Sequence, residues 1–273
     1  MESPEFHIQH MGLKNREGIP NSFESILKNY RGAQEMDTLL LRDGEIAVVN
    51  DKKMNMTPEQ VESMTLVELE NHLNQIGALG EGEKGIPSFK EFLGLASDAD
   101  TKLRVELRAS SPEQAVKLAR AVITDVTDMD AQAGFKKNSD YPKTRLRFVT
   151  FSIPALQEVQ AVAKEKHLLA STGLFWPSSE TWSHSVTLYD QALVDQVPDL
   201  ADREWNERGI LVAKHFGFSE IELQPDVITP KHVQLAHELG LEIGASLTRF
   251  PDQEEALAKK LMDMGVDHML TEK

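Results

Sequence analysis

The sequence predicts an α/β fold, a (β/α)8 barrel forming one domain over residues 1–273, and three observations carry that expectation. Short apolar runs alternate with amphipathic stretches over most of the chain, which is the pattern of βα units around a parallel sheet. Nine runs read as strands, and a tight-turn signal folds the second and third back on each other, which leaves eight for a parallel ring. The length also fits, since such barrels typically need about 250 residues. A doubly wound open sheet is the structural alternative. No linker, internal repeat or low-complexity tract argues for two domains.

In chain order the strand candidates are residues 6–12, 34–41, 46–50, 102–109, 145–152, 168–175, 219–224, 241–247 and 266–271. Asp43-Gly44 supplies the turn between the second and third. Residues 54–87 read as a small insertion after this hairpin (about 52–90 in all), with a short helix over 65–75 and a glycine-rich loop. Helix signals fill the other gaps. Ser22 can cap a helix over 23–30 with Gly32 beyond its end, and Ser111-Pro112-Glu113 opens one that runs through Ile123. Thr229-Pro230 repeats the device before a helix closed by Gly240, and Asp252 starts one that ends at Gly265.

Composition narrows the function. Forty-four acidic residues against twenty-nine basic ones give a formal charge of −15, which repels phosphate backbones and anionic membrane surfaces, so no nucleic-acid partner is expected. No apolar run approaches the length of a membrane span. The start, MESPEFHIQHMG, has neither a basic nor an apolar leader region, so a cytoplasmic location is expected. With no cysteine, thiolate nucleophiles and thiolate metal sites are excluded, and any metal is held by oxygen or imidazole.

Several motifs carry little. Gly80-Glu81-Gly82-Glu83-Lys84-Gly85 has the spacing of a dinucleotide loop but lacks the preceding strand, and its glutamates repel phosphate; it reads as a solvated surface loop. His232 and His237 lie five apart, share no helix face, and read as ordinary surface histidines. His7 and His10 occupy opposite faces of the first strand, so only one faces a barrel interior. Trp176 and Trp182 flank a loop and read as packing for it, with a pocket wall as the alternative.

The carboxylates stand apart. Glu35 and Asp37 at i and i+2 of one strand point the same way, and Glu106 and Arg108 repeat the geometry in RVELR. Buried acids are costly unless a cation or a network compensates them. Three carboxylates converging at one barrel mouth make an oxygen-rich site for a hard divalent cation, Mg²⁺ or Ca²⁺. A set of salt bridges with Arg104, Arg108 or Lys102 satisfies the same pattern, and composition and spacing leave the two readings open.

At this point the residues resemble a known family, the glycerophosphodiester phosphodiesterases of the phospholipase-C-like TIM barrels. His10-Met11-Gly12 falls where that family has His-Arg-Gly, Asn21-Ser22 where it has Asn-Thr, and Glu35-Met36-Asp37 resembles its Glu-x-Asp. Asp43-Gly44 with Ala47-Val48-Val49-Asn50-Asp51 resembles its Asp-Gly hairpin and Val-Val-x-His-Asp. Met64-Thr65-Leu66-Val67-Glu68-Leu69 and Gly85-Ile86-Pro87-Ser88-Phe89-Lys90-Glu91 are similar to its Leu-Thr-Leu-x-Glu-Leu and Ile-Pro-Thr-Leu-x-Glu. Val105-Glu106-Leu107-Arg108 resembles Ile-Glu-Leu-Lys, and Gly265-Val266-Asp267-His268-Met269-Leu270-Thr271-Glu272 resembles Gly-Val-Asp-Gly-Ile-Ile-Thr-Asp.

The resemblance implies metal-dependent hydrolysis of glycerophosphodiesters or a related small phosphodiester, with Glu35, Asp37 and Glu106 as ligands of one divalent ion. It implies His10 as one of two acid–base histidines and Arg108 in place of a phosphate-binding lysine, a role its planar fork suits. Two departures fall on the chemistry: Met11 stands where the family has arginine, and Asn50 where it has the second catalytic histidine. Asn50 can hydrogen-bond to a phosphoryl or leaving-group oxygen but cannot donate a proton to an alkoxide. The alternative is therefore a catalytically impaired barrel that binds a phosphodiester or a partner. A third reading is a TIM-barrel enzyme of another class, of the enolase type, using the same carboxylates.

Overall fold

The computed structural model describes residues 7–9, 33–50, 54–76, 85–97, 102–133, 146–168, 170–177 and 191–271. The strands are β1 (His7–Gln9), β2 (Ala33–Leu40), β3 (Ile46–Val48), β4 (Lys102–Leu107), β5 (Leu146–Thr150), β6 (Ser171–Phe175), β7 (Glu220–Leu223), β8 (Glu242–Ser246) and β9 (His268–Thr271). Eight of them are parallel and close into a ring, because β1 pairs with β2 on one side and with β9 on the other. β3 alone is antiparallel, folded back on β2 through the Asp43-Gly44 turn, where Gly44 takes φ +87°. Ring closure fixes the (β/α)8 barrel and excludes the open sheet. All nine expected strands form, each at or within three residues of the expected ends that lie in the described residues.

The described helices are α1 (Pro58–Glu62), α2 (Leu66–Gln75), α3 (Phe89–Ser97), α4 (Pro112–Ala133), α5 (Ile153–Glu165), α6 (Gln191–Val194), α7 (Trp205–His215), α8 (Pro230–Glu238) and α9 (Glu254–Met264). The period-two alternation of strands sends alternate residues to these helices. Met36, Leu103, Val105, Leu107, Leu146 and Phe148 join one apolar layer with α4 and α5. Leu174, Ile221, Leu223, Ile243, Ala245 and Met269 join another with α7, α8 and α9. The intervening residues face the ring interior, so Glu35, Asp37, Arg104 and Glu106 share the inside by register: Glu35 stands beside Arg104, and Asp37 beside Glu106.

Barrel interiors are usually filled by branched apolar side chains. Here a charged network occupies much of the described part. Arg104 Nη1 donates to Glu220 Oε1 at 2.6 Å and its Nη2 donates to Glu222, while Arg147 pairs with Glu220 and with Glu242, each at 2.6 Å. His268 Nε2 lies 2.8 Å from Glu220 Oε1. Two glycines make the space: a Cβ on Gly173 would stand 3.0 Å from the Glu220 carboxyl carbon, and one on Gly244 would stand 2.0 Å from His268 Nε2. Burial pushes the Glu220 carboxyl up, but Arg104, His268 and Arg147 together hold it well below the usual carboxylate range.

The insertion packs on the β2–β3 hairpin. Leu39, Leu41, Ala47 and Val49 form a separate core with Val61 of α1, Leu69 and Leu73 of α2, and Ile86. Thr57 and Thr65 start α1 and α2 with reciprocal capping boxes, in which Gln60 and Glu68 return the bond. The helix expected over 65–75 is therefore present with Thr65 as its cap.

Several expectations are corrected. α4 continues ten residues past Ile123, because the apolar spacing does not stop there: Val126 follows Leu118, Ala119, Val122 and Ile123 into the core. Thr124 and Thr127 turn their hydroxyls back to the carbonyls of Arg120 and Ile123 and do not break the helix. α9 starts at Glu254, two residues after Asp252, with Gln253 at its N-cap. His232 is buried: Thr229 N donates to its Nδ1 at 3.2 Å, and its Nε2 meets Glu204, so it completes a helix cap. His237 is exposed. Trp176 is buried against Trp205, their rings 4.9 Å apart, and Trp182 lies outside the described residues. Also outside are the expected helix over 23–30 and residues 80–84 of the glycine-rich loop.

Gly244→Ala is expected to cost about 1–3 kcal/mol, the usual cost of overpacking, because the His268 ring that occupies the space is held between Glu220 and the arginines. A urea unfolding curve reads the change as a lower midpoint at unchanged slope; an unchanged midpoint contradicts the packing described.

Candidate metal and phosphate site

β2 and β4 build the site at the end of the ring where their C-terminal residues emerge. One ligand atom from each of Glu35, Asp37 and Glu106 lies within 4.8 Å of the other two. Glu35 and Asp37 are each 1% exposed, and the Glu106 side chain is 14% exposed, so the cluster opens to solvent on the Glu106 side. Backbone bonds set the alignment: Thr38 Oγ1 donates to Glu106 O at 2.8 Å, and Arg108 N donates to Thr38 O at 3.0 Å. These bonds carry Arg108 past the end of β4 and onto the carboxylates.

Arg108 Nη1 lies 3.3 Å from Asp37 Oδ1 and 3.3 Å from Glu106 Oε1. Asn50 Nδ2 donates to the other Asp37 oxygen, Oδ2, at 2.7 Å. The β3 return strand brings Asn50 there, since Val49 N donates to Asp37 O at 3.1 Å. On the outer side, Ser110 N donates to Glu62 Oε1 of α1 at 2.8 Å, which ties the β4–α4 loop to the insertion. Of the residues expected from the sequence, Glu35, Asp37, Asn50, Glu106 and Arg108 are thus brought together. His10 lies outside the described residues, as does Met11.

The donor set fits a hard divalent cation. Carboxylates from Glu35, Asp37 and Glu106 converge with Arg108 in a largely buried place, where a cation would share their negative charge. Carboxylate oxygen is the ligand that Mg²⁺ and Ca²⁺ prefer. A second acidic group, Glu220, Glu242 and His268, also converges within 4.8 Å. It is already neutralised by Arg104 and Arg147 and is a salt-bridge network. Sequence reasoning missed this network, although Glu220 and Glu222 repeat the i, i+2 spacing of Glu35 and Asp37 in a strand candidate.

Comparison with known proteins places the fold. No family model matches the chain, and no curated protein matches it by sequence. Solved structures do match. A protein of Silicibacter pomeroyi assigned as a glycerophosphoryl diester phosphodiesterase aligns with 100% of this chain and 91% of its own, at 18% identity and a TM-score of 0.67. One of Galdieria sulphuraria, assigned as a glycerophosphodiester phosphodiesterase, gives 98% and 94% coverage, 17% identity and a TM-score of 0.65. A phosphodiesterase of Oleispira antarctica, in complex with the product sn-glycerol-3-phosphate, gives 98% and 93% coverage, 18% identity and a TM-score of 0.65. At such identity the likeness is one of fold. No helix among the described residues is long and apolar enough to cross a membrane.

Asn50→Ala is expected to cost about 1.5–3 kcal/mol, the range for a hydrogen bond to a charged group. Asn50→Asp sets a second carboxylate against Asp37 and raises the pKa of the pair, so its loss should be larger at neutral pH and recover as the pH falls. Melting curves of both variants between pH 5 and 8 check this; a pH-independent loss in Asn50→Asp counts against the contact.

Proposed function

We propose that the chain hydrolyses a phosphodiester at the mouth of its barrel, with glycerophosphodiesters or a related small phosphodiester as the substrate class. The observation that carries this reading is the meeting of Glu35, Asp37 and Glu106 with Arg108 at the ends of β2 and β4. The barrel fold shared with phosphodiesterases supports it. We further propose that barrel and insertion act as one domain.

In this reading Glu35, Asp37 and Glu106 hold one divalent ion, Mg²⁺ or Ca²⁺. When bound, the ion supplies Lewis-acid polarisation of a phosphoryl oxygen. Arg108 turns from Asp37 and Glu106 toward the phosphate, where its fork donates to two oxygens and offsets developing negative charge. Asn50 holds Asp37 in one orientation, so that a single oxygen of that carboxylate faces the site. His10 takes the proton of the attacking oxygen, which belongs to water or to a neighbouring substrate hydroxyl; the latter gives a cyclic phosphate.

One observation favours a second reading, a barrel that binds a phosphodiester without turning it over: the Asn50 amide is bonded to Asp37 and has no proton to transfer. The two readings separate in one experiment. Purified protein with glycerophosphocholine and Mg²⁺ or Ca²⁺ is expected to release glycerol phosphate or its cyclic form, followed by ³¹P NMR, and EDTA should abolish release. Asp37→Asn should lose more than the roughly 10–100-fold that removal of an outer-shell partner costs. Metal-dependent stabilisation by the diester with no release would instead establish the binding reading.

A further inference from the structure

The proposed hydrolysis requires a group that delivers a proton to the departing alcohol oxygen, and Asn50 cannot be that group. The opposite wall of the barrel holds a carboxyl suited to it. Three strands separate β7 from β2 in either direction around the ring, so β7 faces β2 directly across the interior. Glu222 is the last but one residue of β7 and points inward, in register with Phe175 and Gly244. Arg104 Nη2 donates to Glu222, and the Glu35 charge acts on the same guanidinium. One arginine is therefore shared by Glu222 and the carboxylate site.

Accessibility gives the direction in which Glu222 opens. Its side chain is 9% exposed, whereas Glu220, two residues toward the start of β7, is 1% exposed. Solvent thus reaches Glu222 from the mouth of the barrel, the side to which Glu106 and Arg108 open at 14% each. Its ion-pair partners bear on its protonation. Glu220 meets Arg104, Arg147 and His268 together and is held ionised, whereas Glu222 is paired with Arg104. Burial raises its carboxyl above the usual range against the pull of Arg104, and the neighbouring Glu220 charge raises it further. The other group facing it is His268 from β9; Phe175 of β6 and Gly244 of β8 carry no charge.

We propose that Glu222 is the proton donor to the leaving oxygen of the phosphodiester, an inference that rests on the hydrolase reading above. The attacking oxygen bonds to phosphorus as the bond from phosphorus to the alcohol oxygen breaks. The electron pair stays on that oxygen, which takes the Glu222 proton and departs as neutral alcohol. The proton from the attacking hydroxyl goes to His10, and exchange through solvent returns one to Glu222, so the protein ends as it began.

The test compares wild type and Glu222→Gln on glycerophosphocholine and on p-nitrophenyl phosphocholine, whose leaving group needs no proton, both with Mg²⁺. The variant is expected to lose about 10²–10⁴-fold in kcat on the first and less than about 10-fold on the second. In the wild type, kcat for glycerophosphocholine should fall as rising pH deprotonates Glu222, and this alkaline limb should be missing with the nitrophenyl diester. Equal losses on both substrates, or no loss, overturn the assignment. If the variant does not fold, the two wild-type profiles decide: a shared alkaline limb overturns it, and a limb confined to glycerophosphocholine upholds it. A wild type that turns over neither substrate removes the hydrolase reading itself and this inference with it.

Discussion

A carboxylate taken out of water needs a cation within reach, and the interior of this barrel is arranged around the Arg104 guanidinium. It is 2% exposed, donates to Glu220 and Glu222 through different nitrogens, and lies with its central carbon 5.3 Å from the centroid of the Phe175 ring. A lysine has one ammonium and no planar fork to meet the two carboxylates through separate nitrogens. The electrostatic demand of Glu220, Glu222 and Glu35 on one arginine explains why Arg147 and His268 also crowd against Glu220. It also explains Gly173 and Gly244, whose missing side chains leave the volume that the charged groups occupy.

The carboxylate site above this floor follows from the register of two strands. Pairing Glu35 with Arg104 and Asp37 with Glu106 places acids from β2 and β4 side by side, and a slip of one residue would send all four toward the helices. The antiparallel hairpin then has a second use. By returning beside β2 it brings Asn50 to Asp37, and by presenting Leu39, Leu41, Ala47 and Val49 to α1 and α2 it anchors the insertion beside the mouth. The Glu62 contact with Ser110 closes this arrangement, joining the insertion to the loop that follows Arg108.

The strands and the Glu35, Asp37 and Glu106 grouping were legible because both depend on local spacing: alternation within a strand, and i, i+2 acids on one face. The Arg104 network was not, because its partners are set by ring closure. Arg104 and Glu220 are 116 residues apart, and no local pattern pairs them. His232 was misread for a related reason. Its five-residue offset from His237 correctly separates their faces, but its place three residues after Thr229 is a capping position usually filled by Glu or Gln, here served by an imidazole nitrogen. α4 runs past Ile123, and Thr124 and Thr127 bond to carbonyls of their own helix along that extension.

An amide at position 50 changes what that corner of the barrel can do without emptying it. Asp37 presents Oδ2 to Asn50 and Oδ1 to Arg108, so both oxygens of this buried carboxylate are fixed in direction. An imidazole there could bond to Asp37 through one nitrogen and transfer a proton at the other. The Asn50 amide orients the carboxylate and has no proton to transfer. In the proposed hydrolysis, proton transfer then falls to a group elsewhere on the barrel wall. Within the described interior, Glu222 combines the raised carboxyl, the opening toward the mouth and the position opposite β2 that such a transfer demands.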